Sequence, residues 1–183
     1  MASTEGFRGL TIGALADRTA MSKSGLFAHF KSKEQLQLDV IQHAAALYVD
    51  VVIRPALKAP RGEPRIRELF ERKLGWIGAR EWSLPGGCLF AAGSIELDDS
   101  DPGPVRQRLV EHQRDWLDTV RTVFSTGVAE GHFVADADPA QFAQEMEGIT
   151  LAYQHASRLM ADPDAELRAR RAFERLVAAV KKS

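Results

Sequence analysis

The residues able to do chemistry in this chain fall into two groups, and only one has an ordered spacing. Five histidines (His29, His43, His112, His132 and His155) and one cysteine, Cys88, are scattered over 183 residues. There is no H-E-x-x-H pair, no G-x-S-x-G turn, no phosphate-binding glycine loop and no paired catalytic carboxylates on one element. The acids Glu96, Asp98, Asp99 and Asp101 stand beside Pro and Gly without ligand spacing and read as solvated. No enzymatic activity, metal or cofactor is expected. The ordered group is TIGALADRTAMSKSGLFAHFKSKEQL, Thr11 to Leu36. From Arg18 to Lys33 it holds four cations (Arg18, Lys23, Lys31, Lys33) and no acid, interleaved with hydroxyls. Amines and hydroxyls in one local field suit phosphate oxygens and base edges.

The elements that position this group are legible from its caps. Thr11 is a hydroxyl N-cap, followed by Ile12, Leu15, Ala16 and Thr19 at helical spacing. Ala20, Met21 and Ser22 form a short connection. Ser22 is a second N-cap, for a helix carrying Lys23, Ser24, Gly25, Phe27 and His29, and Ser32 caps a third that begins at Lys33. The apolar residues between the caps, Leu15, Ala16, Leu26, Phe27 and Phe30, make a compact trihelical unit. Its middle helix is short, small-sided and basic, as a reader of the major groove must be.

The segment resembles the DNA-binding domain of the tetracycline-repressor (TetR) family of bacterial regulators. The pattern T-[IV]-x-x-[LI]-A, then a hydrophobic residue and Ser, then [LF]-[YF]-x-[HY]-F-x-[SN]-K-x-x-L, is met by Thr11, Ile12, Leu15, Ala16, Met21, Ser22, Leu26, Phe27, His29, Phe30, Ser32, Lys33 and Leu36. The resemblance implies an all-α protein: an N-terminal helix-turn-helix domain and a C-terminal helical ligand-binding and dimerisation domain. It also implies a homodimer on palindromic double-stranded operator DNA, with repression the family default and release by a small-molecule effector. On the matching positions, Lys23 and Ser24 are expected at base edges, Lys23 on guanine, and Gly25 where the backbone nears the groove. Thr11, Ser22, His29 and Lys33 are expected at phosphate, and Phe27 replaces the tyrosine of many members. Arg18 is open between a phosphate contact and a solvated face. Two departures stand out. Ala20 replaces the usual turn glycine, and only MASTEGFRG precedes Thr11, so most of the first helix is read as absent, with Gly6 ending its tail. The competing reading is a ligand-binding or interaction dimer that has lost DNA binding through that short start.

Beyond residue 36 the pattern is helical throughout. Residues 1–36 are assigned to the reader and 37–183 to a regulatory and dimerisation domain, with 37–54 as connecting helix. Leu36, Val40, Ala44, Leu47 and Val51 stripe that helix, which is expected to end near Arg54-Pro55. Further helices are expected over residues 66–77, 88–97, 105–130, 139–160 and 167–180, separated by loops rich in Pro, Gly and Asp. The last two are rich in alanine (Ala152, Ala156, Ala169, Ala172, Ala178, Ala179) and are expected to form the dimer seam. Trp76, Trp82, Phe90, Trp116, Phe124, Phe142, Met146 and Tyr153 are candidate walls for a largely apolar effector. Cys88 follows two glycines at a helix start and reads either as a thiol sensor or as a small packing residue. A net charge of −1 and 45% apolar residues exclude a nonspecific nucleic-acid coat and support a real core. With no apolar run of about 20 residues and no signal core, a cytoplasmic protein without membrane contact is expected.

Overall fold

In the computed structural model, which describes residues 1–78 and 80–182, every regular element is a helix. They are α1 (Ala2–Gly9), α2 (Ile12–Thr19), α3 (Lys23–Phe30), α4 (Lys33–Tyr48), α5 (Arg54–Ala56), α6 (Glu63–Ile77), α7 (Leu89–Glu96), α8 (Pro104–Ala129), α9 (Pro139–Gln154) and α10 (Ala165–Val180). Single π-helical turns, Val49–Ile53 and His155–Leu159, follow α4 and α9. Among the described residues there is no strand, only an isolated antiparallel bridge between Phe133 and Lys181. The all-α class expected from the periodicity is what forms.

The breaks lie where local chemistry puts them. Gly131, just beyond α8, takes φ +77, and the Asp138 carboxylate opens α9 by accepting from the amides of Ala140 and Gln141. The expected end of the connecting helix near Arg54-Pro55 is a miss. Arg54 is helical (φ −57, ψ −43) and its N–H donates to the Val49 carbonyl, five residues back instead of four. Widening the helix one turn early puts Pro55 in the first positions of α5, where a missing N–H costs nothing. Helical structure therefore runs from Lys33 to Leu57. By length and composition alone this run is apolar enough to cross a membrane, beyond what the sequence reading allowed. Of the expected stripe, Leu36 and Ala44 are buried and Val40, Leu47 and Val51 half-buried, with Ile41, Tyr48 and Val52 buried beside them, while Gln42, His43 and Asp50 are exposed, so that one side of the helix packs inward.

The chain divides into two compact units, one of Met1–Leu47 with Leu84–Gln113, the other of Tyr48–Ser83 with Arg114–Ser183. The first unit is cored by Phe7, Leu10, Ala16, Leu26, Leu36, Ile41, Leu89 and Phe90. In the second, α6 buries Ile66, Leu69, Phe70, Leu74 and Ile77 on one face. Phe70 stacks on Phe173 of α10 with ring centroids 3.8 Å apart. Phe124 stacks on both Phe133 and Phe142. Each such ring removed from water contributes about 2–3 kcal/mol. At the end of α10, Lys181 pairs with Glu63 at 3.0 Å. Burial alone pushes the Glu63 carboxyl up, but hydrogen bonds and charge from Lys181 and Arg67 outweigh it and hold the group below its ordinary range.

Candidate nucleic-acid interface

All three predicted caps form. Thr11 Oγ1 accepts from the Ala14 amide at 3.1 Å, Ser22 Oγ from Gly25 at 3.1 Å and Ser32 Oγ from Gln35 at 3.0 Å. Each satisfies an amide that a helix start would leave without a partner. Ala20, the C-cap of α2, is left-handed (φ 54, ψ 26), the geometry that a glycine adopts without strain. Ala20→Gly is therefore expected to stabilise the protein by about 1 kcal/mol, read as a higher urea midpoint at unchanged slope. An unchanged or lower midpoint would count against the strain.

The packing of α3 turns its polar side outward. Leu26 is buried and Phe30 half-buried, whereas Ser22, Lys23, Ser24, Gly25, Phe27 and His29 are all exposed. Thr11 is half-buried by its cap. The Lys23 side chain reaches back over the first turn of α2: a Cβ on Gly13 would lie 3.9 Å from its Nζ and the same distance from Thr11 Oγ1. The ammonium thus lies over the N-terminal turn of α2, where backbone amides favour an anion. Lys33, at the start of α4, donates to the Arg8 carbonyl at 3.0 Å, which leaves two ammonium protons for another acceptor. Of the two readings of Arg18, the structure adds a third: it forms an ion pair with Glu5. His29 stands edge-on to Phe30, with centroids 4.6 Å apart.

One residue that supports this surface was misread from sequence. Glu96, grouped with the solvated acids, is half-buried at the end of α7 and accepts the backbone amides of Phe7 at 2.7 Å and Arg8 at 2.5 Å. Gly6 makes that possible. Its backbone (φ 73, ψ 178) turns the two amides toward the carboxylate, and a Cβ there would lie 2.5 Å from Glu96 Oε2. Gly93 gives room on the same helix, since a Cβ would meet the Phe7 ring at 2.5 Å. At the other end of α1, Gly86 donates to Ser3 Oγ at 3.2 Å. The sole signal in the sequence was Gly6 itself; nothing local announces that an acid ninety residues on will meet it. Among the described residues, no three His, Cys, Asp or Glu side chains form a group that could hold a metal ion.

Two family models match the chain: "Bacterial regulatory proteins, tetR family" over residues 1–40, and "Tetracyclin repressor-like, C-terminal domain" over residues 62–173. The chain belongs to the tetracycline-repressor family. It is a transcriptional regulator with a DNA-binding helix-turn-helix. Solved structures agree in fold. A TetR transcriptional regulator from Chloroflexus aurantiacus matches with a TM-score of 0.85 and 22% identity, covering 100% of this chain and 91% of that one. A TetR-family regulator from Cytophaga hutchinsonii matches at 0.86 and 17%, covering 100% and 90%. AibR, in complex with isovaleryl coenzyme A and operator DNA, matches at 0.68 and 18%, covering 98% and 91%. No curated protein matches the sequence.

In this regulator the eight candidate effector residues are distributed over several clusters. Phe90 lies in the first unit and stacks on His112, centroids 3.4 Å apart. Phe124 and Phe142 belong to the stacked core described above, and Met146 is fully buried. Trp82 lies close over Gly75, 2.6 Å from where a Cβ would stand. Trp76 and Trp116 each meet the Tyr48 ring edge-on, at 5.3 and 5.7 Å. Beside them is a buried ion pair. Lys73 Nζ lies 3.4 Å from Glu147 Oε2 and over the Trp116 ring at 4.7 Å from its centroid. Glu147 Oε2 also accepts from Trp116 Nε1 at 2.7 Å and from the Thr150 hydroxyl at 3.1 Å. Lys73 escaped the sequence reading, although it falls on the same stripe as Ile66, Phe70 and Ile77, where a charge is anomalous.

Tyr153, the last of the eight, lines a groove of about 750 Å³ along α9 and α10. Burial, reinforced by the Glu166 carboxylate, pushes its phenol up and keeps it neutral. Most of the other lining side chains are small, including Ala152, Ala156, Ala169, Ala172 and Ala179. Cys88 is the N-cap of α7 and is 0% exposed.

Proposed function

We propose that the protein represses transcription from a palindromic operator as a two-fold dimer, and is released by a small, largely apolar effector. The observation that carries this is the capped α3, whose exposed side is cationic, hydroxylic or small apart from Phe27 and the His29 imidazole. In this reading residues 1–36 are the reader and 37–183 the regulatory and dimerisation part, working on DNA in the cytoplasm. Thr11, Ser22, His29 and Lys33 hold phosphates, while Lys23, Ser24 and Gly25 approach base edges. The alanine-lined groove of α9 and α10 supports the dimer seam, because small side chains let two helix pairs approach closely. Trp76 and Trp116, beside a buried polar pair, are the effector walls with the best chemistry, one apolar surface and few polar groups. That a protein of this fold, AibR, is seen with both an acyl coenzyme A and operator DNA supports a regulator with two ligands. Cys88 is assigned to packing, since a reactive thiol needs access.

The test is selection of bound duplexes from a random pool, with sedimentation of the same protein. An inverted repeat should be enriched, bound by two chains, with affinity falling steeply as salt rises. Ala152→Arg places a charge in the proposed seam at a position exposed in the single chain. Burying that charge without a partner costs about 3–5 kcal/mol, so this variant should sediment as a monomer, keep its helicity and lose the repeat. A wild-type monomer at micromolar concentration that enriches no repeat would overturn the proposal.

A further inference from the structure

A hollow within the first unit belongs neither to the effector walls nor to the exposed side of α3. It is a groove of about 510 Å³ walled by α1, α2, α3, α4 and the segment leading into α7. Leu15, Phe30, Val40, Leu47 and Leu84 line it, and each is only half-buried. Apolar side chains from several segments around one hollow of this size, with a few polar groups among them, make a small-molecule site. The charge along its walls is one-sided. No lysine or arginine lines it, although four cations lie in the neighbouring stretch from Arg18 to Lys33. Its single acid is Asp39, half-buried on α4. The Asp39 carboxylate accepts from Gln35 Nε2 at Oδ1, 2.8 Å away. It pairs with no cation among the described residues, the α-ammonium of Met1 in the same groove included. His43, one helical turn further along α4, also lines the groove and offers a ring nitrogen as a second acceptor. A carboxylate held partly out of water favours a cation that can donate to it.

We propose that this groove binds a small organic amine, with its apolar body against Leu15, Phe30, Val40 and Leu47 and its ammonium on Asp39. The site goes beyond the effector reading above, whose walls Trp76 and Trp116 belong to the second unit. The ligand touches α2 at Leu15, α3 at Phe30 and α4 at Val40 together. Its binding therefore holds the three helices of the reader to one another and stabilises them against unfolding.

The experiment titrates the full chain, without DNA, with phenylbutylamine, phenylbutanol and phenylbutanoate, which share one apolar body and differ in charge. The amine should bind about tenfold more tightly than the alcohol, the scale of one charge-assisted hydrogen bond, and the carboxylate most weakly. Resonances of Leu15, Val40 and Leu47 should shift on adding the amine, and the melting temperature should rise with its concentration. Asp39→Asn keeps an acceptor for Gln35 and should bind amine and alcohol equally. Val40→Phe fills the groove from a half-buried wall and should bind none of the three. If that variant does not fold, Asp39→Asn and the resonance shifts decide the matter. Equal binding of amine and alcohol by the wild-type protein overturns the proposal, and so does a tenfold preference that survives in Asp39→Asn. Shifts confined to other residues, or undiminished binding by a folded Val40→Phe, place the amine elsewhere and overturn the site. Binding of none of the three at millimolar concentration overturns it outright, while operator binding is untouched by any of these outcomes.

Discussion

Lys73→Met is expected to lower the free energy of unfolding by about 3–5 kcal/mol, a large share of what holds a domain of this size together. Lys73 is 3% exposed and Glu147 6%, so neither charge has water to turn to when its partner is removed. The carboxylate would keep its bonds from Trp116 and Thr150 but lose the ammonium that balances its charge. Methionine fills nearly the same volume, which separates the electrostatic loss from a cavity. Adding Glu147→Gln should restore most of the stability, because the amide oxygen still accepts from the Trp116 indole while the unpaired charge is gone. Urea unfolding of the two single variants and the double variant checks this as a thermodynamic cycle. A loss below about 1 kcal/mol for Lys73→Met, the scale of an exposed pair, would show that the pair contributes as a surface bridge does.

Gly6→Ala is the second large effect, and it acts on the reader. The backbone conformation at Gly6 is one that L-residues avoid at a cost of about 1–3 kcal/mol, and a Cβ would lie 2.5 Å from the Glu96 carboxylate. Relieving that clash pulls the carboxylate from the amides of Phe7 and Arg8, hydrogen bonds to a charged group worth about 1.5–3 kcal/mol each. A total loss of at least about 4 kcal/mol is expected, with faster amide exchange at Phe7 and Arg8 and weaker DNA binding. Glu96→Ala should reproduce the faster exchange without straining the backbone. If Gly6→Ala left both the urea midpoint and the exchange of those amides unchanged, the carboxylate would not be holding α1.

These two sites mark the edge of what the sequence alone determined. The helical class, the three hydroxyl caps, the turn at Ala20 and the stop at Gly131 were legible, since each depends on a residue and its neighbours within one turn. Gly6, read as the end of the first helix, instead kinks α1, and the helix resumes to Gly9. Exposure of α3 followed as well, because Leu26 and Phe30 define the side that packs. The motif from Thr11 to Leu36 is by itself enough to indicate the family. The end of α4 was not legible: Pro55 argues for a stop, and only the register of the packed helix reveals that a π turn carries the chain through it.

What the tertiary structure decided is which distant residues meet. Glu96 looked like one solvated acid among four, and its role depends on amides ninety positions away that Gly6 turns toward it. Lys73 drew no reading from the sequence, and its burial depends on α6, α8 and α9 closing around it with Glu147 and Trp116. The aromatic residues were read as candidate effector walls, and periodicity reports only which side of a helix faces inward. It cannot tell a stacked core, as at Phe124 and Phe142, from the wall of a ligand site, because both bury the same rings. That distinction belongs to the third dimension: local spacing fixes the direction of a side chain, and only the packing of separate helices fixes its partner.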